Sequence, residues 1–247
     1  MSMAIGRRHL AVMALVTIGV TACGGRHDGG APTGKATAGR GPARSARVSS
    51  QRQLEDAVVD ARELPGVRVE GIGAGTNGIG NGVVHAARRA GTSPARCAPV
   101  SAAVGGTSGY PPVASVRRIA GRKGHSAILT LVSYRSADAA QAIDDLRAAL
   151  KSCKGYTSGS MKATYEDIRA TDGPPQGDDR IGFRLELAME PGDNGLKLPT
   201  SVLVVRQGST LAIHSAASDA PGTAASVPSD LVDAQSKALD NAVRAAP

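Results

Sequence analysis

Aromatic side chains are nearly missing from this 247-residue chain, which has one phenylalanine, four tyrosines and no tryptophan. That rules out a core built on large rings. It also argues against a nucleic-acid partner, because there is no basic cluster interleaved with aromatics on which bases could stack. Acidic residues are absent between Glu70 and Asp138. One window there, Gly73-Ala74-Gly75-Thr76-Asn77-Gly78, has the G-x-G-x-x-G spacing of a dinucleotide loop. Such a loop needs an acid about 20 residues on to hold the ribose hydroxyls. With none available, the window reads as a flexible glycine loop, and no cofactor is expected.

Catalytic signatures are missing too. The sequence has neither a G-x-S-x-G elbow nor an H-E-x-x-H pair. Gly105-Gly106-Thr107-Ser108-Gly109 has the look of a serine loop, but it sits in a Gly/Pro stretch without strand-to-helix context. His125 and His214 both fall at or in strand-like stretches, where a lone histidine is usually structural. Asp144 and Asp145 are adjacent on a helical stretch, so they point about 100° apart and read as a solvated face. These absences predict a non-enzymatic chain without a metal.

What the chain does have begins near its start. A basic pair, Arg7 and Arg8, precedes an apolar run from Leu10 to Val20, which ends in Val20-Thr21-Ala22-Cys23. About 11 apolar residues cannot span ~30 Å of hydrocarbon. Small residues before a cysteine that is followed by Gly24 and Gly25 form a lipobox instead. Residues 1–22 are expected to be a signal peptide, and Cys23 the lipidated first residue of the mature chain. The protein is thus placed at the cell membrane, lipid-anchored on its extracytoplasmic face. Removing residues 1–22 leaves 27 basic against 21 acidic residues, so the formal charge falls from +8 to +6. That moderate excess suits anionic headgroups or wall polymers.

Cys97 and Cys153 remain as an even pair in a translocated chain, where oxidation is expected. A bridge between them would close about 56 residues and stabilise by roughly 4 kcal/mol in the chain-entropy model.

Residues 23–48 are rich in Gly, Ala, Pro and Arg with no apolar periodicity, and read as a disordered linker of ~25–30 Å reach. A domain over 49–247 follows. Ser50-Gln51-Arg52-Gln53 forms a capping box for a helix predicted to run to Leu64, where Pro65-Gly66 stops it. Val67 to Val69 reads as a short strand. Val113–Ile119 and Ala127–Val132 read as a hairpin around Gly121–Gly124. Ser136 is expected to cap a helix with Asp138 in its first turn and Ala139, Ile143, Leu146, Leu150 and Cys153 on its buried stripe. Met161–Ile168 and Ile181–Met189 read as strands, the second alternating Ile181, Phe183, Leu185 and Leu187 against polar neighbours. Ser201–Arg206 and Thr210–Ser215 flank Gln207-Gly208-Ser209 as a tight hairpin. A last helix opens at Pro228-Ser229-Asp230, its stripe being Leu231, Leu239, Ala242 and Val243. Hairpin runs alternating with helices predict an α+β fold, an antiparallel β-sheet packed against two or three helices with one disulfide. The basic set Arg117, Arg118, Arg122 and Lys123 spans a strand and its turn and could hold an anionic headgroup or wall polymer.

Four stretches carry a family likeness. They are Cys97-Ala98-Pro99, Tyr134-Arg135-Ser136-Ala137-Asp138-Ala139-Ala140, Ser152-Cys153-Lys154-Gly155-Tyr156 and Val232-Asp233-Ala234-Gln235-Ser236-Lys237. Over roughly residues 50–245 the chain resembles the PknH-like extracellular domain family, sensor-type domains of actinobacterial lipoproteins and receptor kinases. The resemblance implies an antiparallel sheet whose packed helices form a groove that senses a ligand outside the cell. The chain lacks the second disulfide and the tryptophans often found in such domains. Two functions are therefore expected: a sensor binding a small-molecule or lipid ligand, or an adaptor docking an envelope protein.

Overall fold

A computed structural model describes residues 48–72, 91–122, 125–159, 163–188, 197–218 and 223–245. The expected signal peptide, Cys23, most of the linker, the Gly73–Gly78 window and Lys123 lie outside the described residues.

Among the described residues nine strands form one antiparallel sheet: β1 (Arg68–Gly71), β2 (Thr92–Ser93), β3 (Ala114–Arg122), β4 (His125–Ser133), β5 (Tyr156–Ser158), β6 (Ala163–Thr171), β7 (Asp179–Ala188), β8 (Lys197–Gln207) and β9 (Thr210–Ala217). Their order across the sheet is β1-β3-β4-β9-β8-β7-β6-β5-β2. The described residues also form four α-helices: α1 (Gln51–Ala57), α2 (Ala98–Val104), α3 (Ser136–Ser152) and α4 (Ser229–Ala245). The expected α+β architecture is present, with one helix more than the sequence indicates. None of these helices is long and apolar enough to cross a membrane.

The sheet has a hydrophobic cluster on each face. Along β8, Val202 and Val204 enter one cluster while Leu203 and Val205 enter the other. Strand alternation dictates this split, and burial on both faces explains why β8 reads as a continuous apolar run. On the first face α2 and α3 cover Val132, Phe183, Leu185, Leu211 and Ile213. On the second, α1 and α4 cover Leu129, Leu131, Leu203, Val205 and Ala212. Few as the rings are, Tyr134, Tyr156, Tyr165 and Phe183 are all buried in the first core, while the second is aliphatic. Tyr156 stacks on Tyr165 across β5 and β6, with ring centroids 4.6 Å apart.

Helix α1 begins as its capping box dictates: the Ser50 hydroxyl accepts from the Gln53 amide, and the Gln53 side chain accepts from the Ser50 amide. It ends at Ala57 rather than near Leu64. The reason lies far away in sequence. The Val59 N–H donates to Gln235 Oε1 at 3.0 Å, and Gln235 Nε2 donates to the Ala57 carbonyl at 2.8 Å. Gln235 on α4 is fully buried and takes up two backbone groups left by the helix end. Val243 behaves opposite to expectation. It is 51% exposed, and the buried face of α4 is Leu231, Val232, Gln235 and Leu239. Gln235→Leu is expected to lower stability by about 2 kcal/mol, because two buried backbone groups would lose their partners. Urea denaturation checks this, and an unchanged midpoint would refute it.

Arg135, not Ser136, occupies the N-cap of α3, although Asp138 does stand in the first turn. The bulge in β6 between Glu166 and Arg169 was not visible in the sequence. There Asp167 adopts φ 52, and its carboxylate accepts from the Arg169 side chain at 2.6 Å.

The disulfide Cys97–Cys153 is present, with its Cα atoms 5.2 Å apart. Both residues are fully buried in the first core. Cys97 immediately precedes α2 and Cys153 caps the end of α3, so the bridge ties the start of one helix to the end of the other.

Candidate functional site

Between the two bridged helices lies a cavity of about 120 Å³. Its floor is the sheet, through Val204 of β8 and Leu211 of β9. Its walls are mostly small: Ala98, Ala102 and Ala103 from α2, with Ala142 and Leu146 from α3. Alanines at a helix seam fill less of it than Leu or Phe would, so the scarcity of large side chains leaves room here.

The segment after α2 forms the rim. The helix stops in a glycine-terminated cap, in which the Gly106 amide donates to the Ala103 carbonyl and the Thr107 amide to the Ala102 carbonyl. Gly106 has φ 78, and a Cβ there would lie 2.7 Å from Thr130 Oγ1, so only glycine fits. The chain then brings Thr107, Ser108 and Tyr110 back over the cavity. Tyr110 donates its hydroxyl to Asp145 Oδ2 at 2.8 Å, joining the rim to α3. The Asp145 carboxylate beside it pushes the Tyr110 phenol up from its ordinary value. Asp145 Oδ1 accepts from Gln141 Nε2 at 2.9 Å, one turn away.

The two adjacent acids have different surroundings. Asp144 is exposed and accepts from Arg147 at 2.7 Å. Asp145 is half-buried at the cavity rim and forms no ion pair among the described residues. The solvated-face reading thus holds for Asp144 alone.

The expected basic set is dispersed. Strand alternation sends Arg117 to one face of β3 and Arg118 and Arg122 to the other. Arg122 donates to Asp230 of α4 at 2.7 Å, both side chains about half-exposed. Arg118 donates to the Arg117 carbonyl. Arg117 pairs with Thr130 across β4, and burial lowers its pKa. Its Nε has no hydrogen-bond partner. None of the three lines the cavity.

His214 is also away from the cavity. It is fully buried on β9, between Leu129 and Leu203 of the neighbouring strands, and alternation puts it on the α1/α4 face. Neither ring nitrogen has a partner, and burial lowers its pKa to about 4. The side chain of His125 lies outside the described residues. Among the described residues no histidine or cysteine lines the cavity, and no three His, Cys, Asp or Glu side chains are placed to hold a metal.

Sequence reasoning missed α2, and with it the cavity. Seven residues are too few to display a 3.6-residue period. The available signals were Pro99 in the first turn and Gly106 just past the end. Nothing local connects Tyr110 to Asp145, which are 35 residues apart.

No protein-family model and no curated protein matches the sequence. Two solved structures are similar in chain path. The extracellular domain of PknH from Mycobacterium tuberculosis gives a TM-score of 0.48 at 12% identity, over 81% of this chain and 99% of that one. An uncharacterized protein from Mycobacterium smegmatis, the Rv0999 ortholog, gives a TM-score of 0.41 at 16% identity, over 83% of this chain and 100% of that one.

Proposed function

We propose that the chain is a lipid-anchored, extracytoplasmic domain that binds a small molecule of the envelope or its surroundings without chemically changing it. The observation that carries this reading is the apolar cavity of about 120 Å³, walled by two helices that a disulfide ties together. Concave, largely apolar sites with few polar groups are where small ligands bind. Disulfide pinning keeps such a site pre-formed, which lowers the ordering cost of binding. The lipobox ending in Cys23 and the use of a structural disulfide both favour a translocated chain. The cavity wall offers threonine, serine and tyrosine hydroxyls and one carboxylate, which can hold a ligand by hydrogen bonds.

The adaptor reading draws no comparable support. Among the described residues the exposed large apolar side chains are Val48, Val113, Ile119 and Val243, and a few exposed apolar residues are ordinary on a surface.

Mass spectrometry of the protein purified from its host tests both halves of the proposal. The expected result is a chain starting at residue 23 with a lipid on Cys23, which releases a small molecule on unfolding. A Cys23→Ser version is expected to lack the lipid. Unmodified Cys23 would refute the anchor, and repeated preparations without any released molecule would refute ligand binding.

A further inference from the structure

Resting on the cavity reading above, we infer that the occupant is cationic: a small alkylammonium group, its carbons among the alanines and its N–H donors on Asp145. Three observations lead there.

First, among the described residues Asp145 is the one charged side chain on the cavity wall. The arginines that could have favoured an anion lie elsewhere, Arg122 already paired with Asp230.

Second, the carboxylate is held in place but left electrically uncompensated. Each oxygen accepts one neutral donor, Tyr110 Oη at 2.8 Å and Gln141 Nε2 at 2.9 Å. A carboxylate offers about four lone-pair sites, so roughly two remain for a ligand. Its neighbour Asp144 has an arginine partner, whereas Asp145 forms no ion pair among the described residues. A fixed negative charge beside apolar walls attracts a cation more strongly than one in open water does. An anionic ligand would be repelled, and a neutral donor would gain a hydrogen bond to the carboxylate without the attraction of opposite charges.

Third, the volume sets the size of the apolar part. A dry cavity of about 150 Å³ accepts a benzene molecule. At about 120 Å³ this one suits a group of roughly four or five carbons.

The test uses the full chain in detergent solution with 13C-methyl-labelled alanine, so that Ala98, Ala102, Ala103 and Ala142 report from the cavity itself. The probes are n-butylamine, n-butanol and butyrate, titrated at pH 7.5 and matched free concentration. The amine is expected to bind about tenfold more tightly than the alcohol, with butyrate weakest. Asp145→Asn should reduce the amine to the level of the alcohol, and Tyr110→Phe, which keeps the carboxylate, should preserve the preference. Equal binding of amine and alcohol, or tightest binding of butyrate, overturns the inference while leaving the cavity reading intact. Binding without loss of preference in Asp145→Asn also overturns it. No shift of the cavity methyls with any probe overturns the cavity reading itself.

Discussion

Replacing Cys97 and Cys153 together by alanine is expected to lower the unfolding free energy by about 4 kcal/mol. The bridge joins positions separated by 56 residues, and in the chain-entropy model the cost of closing such a loop falls on the unfolded state. A domain of this size has ~5–15 kcal/mol in total, so the loss is a large fraction of it. The consequence reaches the proposed site. Cys97 stands at the start of α2 and Cys153 at the end of α3, and those two helices wall the cavity. Without the bridge their separation rests on packing between small residues such as Ala102, Ala103 and Ala142. Guanidinium titration of both forms checks the stability, and a loss below about 1 kcal/mol would refute the staple role.

Acid is expected to destabilise the protein through His214, and His214→Leu is expected to remove that sensitivity. The folded imidazole has a pKa of about 4 because burial penalises its charged form. In the unfolded chain it titrates near 6.5, so between pH 6.5 and 4 the unfolded state binds the extra proton. Stability is therefore full above about pH 6.5 and falls as pH drops towards 4. One pKa unit corresponds to about 1.4 kcal/mol, so the whole window is worth about 3 kcal/mol. His214→Leu should also be more stable at neutral pH by about 1 kcal/mol, since two buried nitrogens without partners are replaced by carbon. Denaturant midpoints at pH 7.5, 5.5 and 4.5 for both forms measure the difference. A gap that does not widen towards acid would show that His214 takes up its proton inside the fold.

Local physics made much of the framework legible. The capping box at Ser50, the turn at Gln207-Gly208-Ser209 and the alternation of Phe183 and Leu185 with polar neighbours each need only a few consecutive residues. The disulfide followed from counting cysteines once Cys23 was assigned to lipid. Short elements were not legible. β2 has two residues, β5 three and α2 seven, too few for a period to show. Asp144 and Asp145 looked alike for a related reason. Their chemistry is identical, and what separates them is Arg147 on one side and Tyr110 on the other.

By itself, then, the sequence determined the longer strands and main helices, the dominance of small aliphatic residues in the core and the pairing of Cys97 with Cys153. Each of these depends on composition or on neighbours within a turn or a pleat. Tertiary structure alone decided that β9 lies between β4 and β8 and that α1 stops where Gln235 takes the Val59 amide, 176 residues away. It likewise decided that α2, the rim and α3 enclose a cavity with one carboxylate at its edge. Those outcomes depend on which distant surfaces meet when the sheet closes against its helices, and no window of neighbouring residues contains that information.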